Sequence, residues 1–356
     1  MCIFSTGGPG ILKGRTGALS TRVIVSRARV CPVEGSPRRG VCRVGPPPFS
    51  LSSLEGVLAM RALSAVRPPL APEASGAPLS PSRVLFVCQS GGQESSVQRD
   101  ALRRAHALSR AFGGELFVLR VLPDSARHDV LLPHLSLLHA MNDLTRTKRA
   151  LDETHAQCES LAPGLSSEQV LVRRGAHLHE AYRVASELKA SLIVVPRQRG
   201  VSGRDVAWLA SMADAPVLVA RPSTRGDSIV AATDMRDPRY PVLHQAAAWS
   251  QRLEAPLVCV HNTAGATAGP ATPARSAIDL LQVALRFGRD AESIVARRAD
   301  PLEAILGEAR TREADLVVVG VRPRTWLDIF SAQSLASRLV DRARRSVLVT
   351  PIRAVA

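Results

Sequence analysis

The chain has few aromatic residues: Phe, Trp and Tyr make up 3% of its 356 residues, although 46% of the residues are hydrophobic. Its cores must therefore be packed by Val, Leu, Ile and Ala, a mixture typical of buried parallel strands covered by helices. The sequence also lacks any uncharged apolar run of about 18 residues, the length that a membrane span requires. We therefore expect a soluble protein without a membrane partner.

Motifs for catalysis and metal binding are missing as well. None of the six cysteines forms a CxxC pair, and Cys88 and Cys259 lie in apolar runs, where a thiol usually acts as a small buried hydrophobe. The segment His177–Glu180 does not match HExxH, and no Gly-x-Ser-x-Gly elbow is present. These absences predict a protein that is not an enzyme, has no metal site and resides in a reducing, cytoplasmic compartment.

The net charge of +15 is unevenly distributed. Residues 1–80 contain ten Lys or Arg and three Asp or Glu, a net of +7, which leaves +8 for the rest. In the remaining residues arginines are scattered along predicted helices, without the interleaved aromatic residues that stack on bases. Nucleic acid is therefore not an expected partner, although a polyanion bound by the basic N-terminal segment stays open as an alternative function.

Residues 1–81 are rich in Arg, Pro and Gly and show no sustained periodicity of 2 or 3.6 residues. This composition predicts a disordered tail. Two alternatives stay open: translation that begins later, for example at Met60, and a targeting peptide, although the compact apolar region and cleavage site of a secretory signal are missing.

From Ser82 onward, short runs of Val, Leu and Ile alternate with stretches of helical periodicity, and the order of these elements repeats. A repeated order indicates a duplicated domain, which we place at 82–222 and 227–353. The strand runs are apolar throughout, which indicates burial on both faces and parallel pairing through right-handed crossovers. The predicted fold class is α/β, with two tandem, doubly wound, Rossmann-like open parallel sheets. Ligands are expected at the carboxyl ends of the strands.

Four segments of the second half resemble motifs of the universal stress protein family. They cover a first strand that ends in Asp, a segment similar to the family's Gly-Asp-Pro, and the fourth and last strands: Ile229–Asp234, Ala299–Ile305, Asp315–Gly320 and Ser346–Pro351. The resemblance spans nearly all of both halves and implies the family's fold, which is like that of the adenine-nucleotide alpha hydrolases.

Many members of this family bind ATP with magnesium through a Gly-x-x-Gly loop that ends, after a spacer, in Gly-(Ser or Thr). This sequence keeps the spacing but has Pro323 and Gln333 at two of the glycine positions. A proline has no N–H to donate, so the phosphate cradle is damaged. For a nucleotide in the second half, the resemblance implies this cofactor-binding set: Asp234 on the adenosine side, Val260, Gly320, and Ser334 with Arg322 and Arg324 toward phosphate.

Three of these positions also have a purely structural interpretation. Asp234 and Ser334 are both residue types that cap helices, and Gly320 would serve a turn. The first half departs further from the family pattern, because Gln89 replaces the strand-end Asp and Gly203-Arg204 take the place of Gly-Ser. We expect the first half to bind no nucleotide.

The predicted function is that of a non-enzymatic stress-response protein, a binding or regulatory module with weak or absent ATP binding in its second half. By the resemblance, the two halves would pair through their last strands, 216–220 and 346–350, and an unidentified cytosolic protein would be the partner. A homodimer stays open. The alternative function is a nucleotide-dependent signalling ATPase, which an intact phosphate loop would favour.

Overall fold

The computed structural model describes ten stretches of the chain. These are residues 23–26, 82–89, 96–123, 136–197, 200–222, 228–234, 240–262, 291–296, 300–322 and 334–352. All of them belong to one compact unit, formed by Met1–Arg27 and Pro78–Ala356. No helix within the described ranges is long and apolar enough to cross a membrane.

The first half alternates strands and helices in the predicted order. An apolar, β-branched run forms each central strand, and each helix presents its buried face at a spacing of three or four residues. Its elements are β2 (Arg83–Gln89), α1 (Ser96–Phe112), β3 (Glu115–Leu122), α2 (Ser136–Leu161), β4 (Val170–Arg174), α3 (His177–Leu188), β5 (Leu192–Pro196), α4 (Gly203–Ala213) and β6 (Val217–Ala220).

The second half repeats this order. The helical periodicity of residues 274–287 predicts a helix there, but these residues lie outside the described ones, as do residues 223–227 between β6 and β7. The elements are β7 (Ile229–Thr233), α5 (Pro241–Leu253), β8 (Leu257–Asn262), β9 (Ala291–Ala296), α6 (Pro301–Thr311), β10 (Leu316–Val321), α7 (Leu335–Arg342) and β11 (Ser346–Pro351).

The strands of both halves join in one eleven-stranded sheet of order β1-β9-β8-β7-β10-β11-β6-β5-β2-β3-β4, where β1 is Val23–Ser26. In each half the first strand is central, between the second and the fourth, so each half has the strand order 3-2-1-4-5 of a doubly wound sheet. Every described pairing within the halves is parallel. The predicted α/β, doubly wound fold is therefore confirmed.

Helices cover both faces of this sheet, and alternate residues of its central strands contribute to the two cores. Leu85 and Val87 of β2 pack with α3 and α4, whereas Val84 and Phe86 pack with α1. All five residues of β5 are buried, as the uninterrupted apolar run predicted.

The two halves meet where β6 and β11 pair antiparallel, with Val347 opposite Val219 and Val349 opposite Val217. This is the one antiparallel ladder among the described strands. It removes two sheet edges by joining them, which protects backbone N–H and C=O groups that would otherwise be open to other chains. The domain limits 82–222 and 227–353 stay predictions, because the halves share one sheet and one compact unit.

Helices on both faces reinforce the junction. On one face the rings of Phe112 and Trp249 lie 5.2 Å apart, and Arg104 donates two hydrogen bonds to Asp315, at 2.5 and 3.3 Å. On the other face α4 packs against α7, where the Gly203 N–H donates to Asp341 Oδ1 at 2.8 Å. The two halves are thus joined through strands, aromatic packing and ion pairs.

One short segment of the predicted disordered tail has a place in the fold. Val23–Ser26 forms β1 and pairs parallel with β9, from Val23 opposite Ser293 to Ser26 opposite Ala296. The run Val-Ile-Val is a strong strand former, a signal that the composition of the surrounding tail obscured. The rest of residues 1–81 lies outside the described residues.

The contact of α4 with α7 depends on the absence of a side chain at Gly203. A Cβ atom there would lie 2.0 Å from the carbonyl oxygen of Ser337 and 2.7 Å from its carbonyl carbon. We predict that Gly203→Ala lowers the free energy of unfolding by about 1–3 kcal/mol, because the backbone of α7 must move away. Urea unfolding of the full chain measures this change.

The matched control is Arg204→Ala, one residue further along α4 and exposed. It should change the free energy of unfolding by less than about 0.5 kcal/mol. Equal stability of the Gly203→Ala variant and the unchanged protein would show that the close approach of the two helices is not a constraint.

Candidate functional site

The candidate site lies at the carboxyl ends of three adjacent parallel strands of the second half. Strand β7 lies between β10 and β8, and all three run in the same direction. Asp234 directly follows β7, and Arg322 directly follows β10. The topology therefore brings together two residues that are 88 positions apart in sequence.

Asp234 and Arg322 form an ion pair. Arg322 Nη2 donates to Asp234 Oδ2 at 3.1 Å, and the two side chains are 51% and 52% exposed. Exposed pairs of this kind contribute about 0.2–1 kcal/mol, because water and salt screen the charges. The carboxylate assigned to the adenosine side is thus engaged by an arginine of the same chain, through a contact that costs little to open.

Val260 does not reach this edge. Strand β8 continues two residues beyond it, to Asn262, and the Val260 side chain is 1% exposed in the core. His261 lies closer to the edge instead, with Nδ1 at 3.0 Å from the carbonyl oxygen of Thr233. Val260 is the last residue of the apolar run, but β8 continues past it, since His261 pairs with Thr233 of β7 and Asn262 pairs with Ala296 of β9.

Gly320 owes its identity to packing. It lies within β10, opposite Thr350, and its φ angle is not in the positive range that favours glycine. A Cβ atom there would lie 2.4 Å from Ile352 Cδ1 and 2.8 Å from Val242 Cγ2. The glycine therefore admits two apolar side chains beside the strand, and the turn proposed from sequence is not what requires it.

Ser334 caps α7. Its Oγ accepts a hydrogen bond from the Ser337 backbone N–H at 3.1 Å and lies 2.8 Å from Ser337 Oγ. Ser337 is buried, so this cap is part of the packed structure. Ser334 therefore has the helix-capping role of its structural interpretation. The remaining loop positions, Pro323, Arg324 and Gln333, lie outside the described residues.

Asp300 links helices α6 and α7 beside the site. In the sequence it was identified only as part of the segment Ala299–Ile305. Asp300 Oδ1 accepts from the Leu302 backbone N–H at 3.1 Å and caps α6, while Oδ2 accepts from Arg338 Nη2 of α7 at 2.7 Å. The backbone hydrogen bond from Leu302, followed by the contact with Arg338, lowers the pKa of Asp300 from its ordinary value of 3.8. Asp300 followed by Pro301 is therefore a helix cap with proline in the first turn.

The corresponding edge of the first half is occupied by contacts with the second. Arg197, the first residue after β5, lies 3.5 Å from Asp341 of α7. Ser202 caps α4 and accepts from the Asp205 backbone N–H at 3.2 Å. By the helix caps Ser202 corresponds to Ser334, so the assignment of Gly203-Arg204 to the Gly-Ser position was wrong by two residues, because α4 has 11 residues and α7 has 8.

The described residues contain neither a candidate metal site nor an exposed cysteine thiol. No group of three or more His, Cys, Asp or Glu within them could hold a metal ion. Cys88, Cys158 and Cys259 are buried, and burial raises the pKa of Cys259 to about 12, so its thiol stays protonated at neutral pH. The expectation that Cys88 and Cys259 are small buried hydrophobes is confirmed.

Comparison with known families assigns the fold. The model of the universal stress protein family matches the chain twice, at residues 89–221 and 226–351. The chain belongs to the universal stress protein family. The two matches follow the two halves of the sheet, so the chain is a tandem member of that family.

One solved structure of the family shares the fold of this universal stress protein, and a second is similar over much of the chain. A universal stress protein from Archaeoglobus fulgidus DSM 4304 is 16% identical, with a TM-score of 0.55, over 76% of this chain and 98% of that one. A functionally unknown protein from Pseudomonas aeruginosa PAO1 is 18% identical, with a TM-score of 0.49, over 77% of this chain and 93% of that one. A search of curated proteins found no match.

Sequence reasoning missed the residues that tie the site region to the other half. Asp341 and Ser337 contact Arg197 and Gly203 across the junction. No sequence signal identifies these partners, since they lie more than 100 residues from the groups they contact. Strand-end polar residues such as His261 could have been found by extending each strand by two residues.

The lowered pKa of Asp300 predicts an acid-dependent loss of stability. A depressed carboxylate pKa stabilises the folded state at pH values above the unfolded pKa, and this stabilisation is lost as the pH falls through the folded pKa. We expect Asp300→Asn to lower the melting temperature at about pH 6, and the difference from the unchanged protein to shrink at about pH 3.

Thermal unfolding followed by circular dichroism at both pH values measures this difference. Glu313→Gln, which removes an exposed carboxylate beyond the other end of α6, is the control and should show no such dependence. A difference for Asp300→Asn that is the same at both pH values would show that the loss comes from the cap geometry and not from the charge.

Proposed function

We propose that this universal stress protein acts as a binding or regulatory module for a cytosolic protein partner, without catalysis and with weak or absent ATP binding. Membership of the family supports a role of the stress-protein type. The observation that carries the proposal is the Asp234–Arg322 ion pair, because it satisfies within the chain the carboxylate that a nucleotide would use.

The ion pair alone is a minor obstacle to a nucleotide. At about 0.2–1 kcal/mol it would lower affinity by no more than about fivefold. The ion pair matters more for the charge of the site. Arg322 lies where a phosphate-binding loop would begin, and its guanidinium contacts a carboxylate of the same chain. A side chain in that position neutralises the site without a ligand.

The phosphate side weakens nucleotide binding more strongly. Pro323 removes one backbone N–H, and a hydrogen bond to a charged group contributes about 1.5–3 kcal/mol. This loss corresponds to at least about tenfold in affinity. Ser334 Oγ is already engaged with Ser337, so a phosphate would have to compete with a helix cap.

In the first half, residues at the corresponding strand-end edge contact the second half of the same chain. Arg197 pairs with Asp341, and the start of α4 is packed against α7. A ligand at this position would have to separate two packed helices. We therefore expect the first half to serve as a support for the second and not as a nucleotide site.

We predict that isothermal titration of the full chain with ATP and magnesium gives no saturable heat at about 1 mM nucleotide, because the weakened loop leaves too little binding energy. Asp234→Ala should behave in the same way. A phosphate-release assay on the same samples should give the rate of the protein-free blank.

Saturable binding that Asp234→Ala abolishes would contradict the proposal and favour the nucleotide-dependent alternative. Release of phosphate above the blank would contradict the non-enzymatic part of the proposal.

A further inference from the structure

Three arginines lie where the two halves meet, at the carboxyl ends of β5 and β6. Arg197 directly follows β5, and Arg221 directly follows β6. The register of β6 with β11, in which Val219 lies opposite Val347, places position 345 opposite Arg221. Arg345 is the third arginine, and we call the three side chains the junction arginines. Each is half-buried, so an ion from solvent can reach the cluster.

Among the described residues, one carboxylate contacts this cluster. Asp341 Oδ1 accepts from the Gly203 N–H at 2.8 Å and lies 3.5 Å from Arg197 Nη2. Arg221 Nη2 donates instead to the carbonyl oxygen of Val340, at 3.2 Å. Three positive charges and one negative charge leave the cluster with a formal excess of +2.

The like charges of the cluster oppose each other. Burial lowers the pKa of Arg221 from its ordinary value, the positive charge of Arg197 lowers it further, and Asp341 offsets part of this effect. Arg221 Nε and Arg345 Nη1 are buried and donate to no atom of the described residues. Buried donors nearly always have an acceptor, in the protein or in a bound ion or water. The cluster therefore has fewer acceptors and less negative charge than its guanidinium groups can use.

The repeated fold does not require arginines at these positions. Matching β5 and β6 to β10 and β11 by register sets Pro196 against Gly320 and Ala220 against Thr350. The positions equivalent to the junction arginines are then Val321, Pro351 and Ala215. These three residues are uncharged, so one end of the antiparallel ladder is cationic and the equivalent positions at the other end are not.

We propose that the junction arginines bind a free oxyanion dianion of the size and shape of phosphate. A dianion balances the excess charge, and planar guanidinium groups match the oxygen atoms of phosphate with paired hydrogen bonds. The ion links Arg197 and Arg221 of the first half to Arg345 of the second, and so stabilises the junction. This site is separate from the start of α4, and it does not depend on whether the second half binds a nucleotide.

Thermal unfolding of the full chain in phosphate and in chloride, at equal ionic strength, tests the proposal. The melting temperature should rise saturably, by about 2–4 °C at about 10 mM phosphate, because the ion binds the folded state. Arg345→Gln should lose this rise. In chloride the same variant should melt no lower than the unchanged protein, because one of the like charges has been removed.

The matched control is Arg252→Gln, which removes an exposed arginine of α5. Helix α5 packs on the opposite face of the sheet from α7, so this variant should keep the full rise. Phosphate also stabilises proteins by being excluded from their surface, an effect that all variants share. An equal rise in Arg345→Gln and Arg252→Gln would overturn the proposal, and so would the absence of any rise in the unchanged protein.

Arg345→Glu tests the position of the site, because it supplies a carboxylate in place of the ion. A carboxylate opposite Arg221 should raise the melting temperature in chloride above that of Arg345→Gln and should remove the response to phosphate. Circular dichroism verifies that each variant is folded. A response to phosphate that persists in Arg345→Glu would show that the ion binds elsewhere.

Glycerol phosphate, at the same concentration and ionic strength, distinguishes a free ion from a phosphate group carried by a small molecule. Because the junction arginines are half-buried, the free ion should give the larger rise in melting temperature, and an ester as bulky as ATP should not occupy the site. An equal rise with glycerol phosphate that Arg345→Gln abolishes would overturn the assignment to a free ion.

Discussion

The antiparallel ladder between β6 and β11 is the contact on which the arrangement of the chain depends. It makes the last strand of each half an interior strand of one sheet. Since the helix before each of these strands lies on the same face, α4 and α7 become neighbours. Their approach is close enough that Gly203 has room for no side chain. This strand pairing therefore brings α4 against α7, excludes a side chain at position 203 and places Arg197 beside Asp341.

The same pairing separates the roles of the two strand-end edges. In the first half, Arg197 and the start of α4 are bound to the second half, so that edge is structural. In the second half, Asp234 and Arg322 remain at an exposed edge and neutralise each other. The two halves share an order of elements and have diverged in what their strand ends contact. Fold alone would not reveal this difference, because function depends on particular residues at the site.

Much of the fold could be predicted from the sequence, because the uninterrupted Val, Leu and Ile runs have few structures open to them other than buried parallel strands. The site was harder. Asp234 and Arg322 were both identified, yet their mutual ion pair depends on which strands are adjacent. The sequence suggested a turn at Gly320. Its packing role was not visible there, because its neighbours Val242 and Ile352 come from other parts of the chain. Local patterns reveal elements and caps, but they do not show which side chains meet across a sheet.

Because the two halves share one sheet and one compact unit, we expect them to unfold as one cooperative structure. Urea unfolding can follow each half separately through single-tryptophan variants, one retaining Trp208 of α4 and the other Trp249 of α5, with Trp326 replaced by Phe in both. Trp208 lies against Tyr182 of the first half, and Trp249 is fully buried in the second. The account predicts coincident transitions, as expected for a single cooperative unit. Two transitions with different midpoints would contradict it, because the halves would then unfold independently.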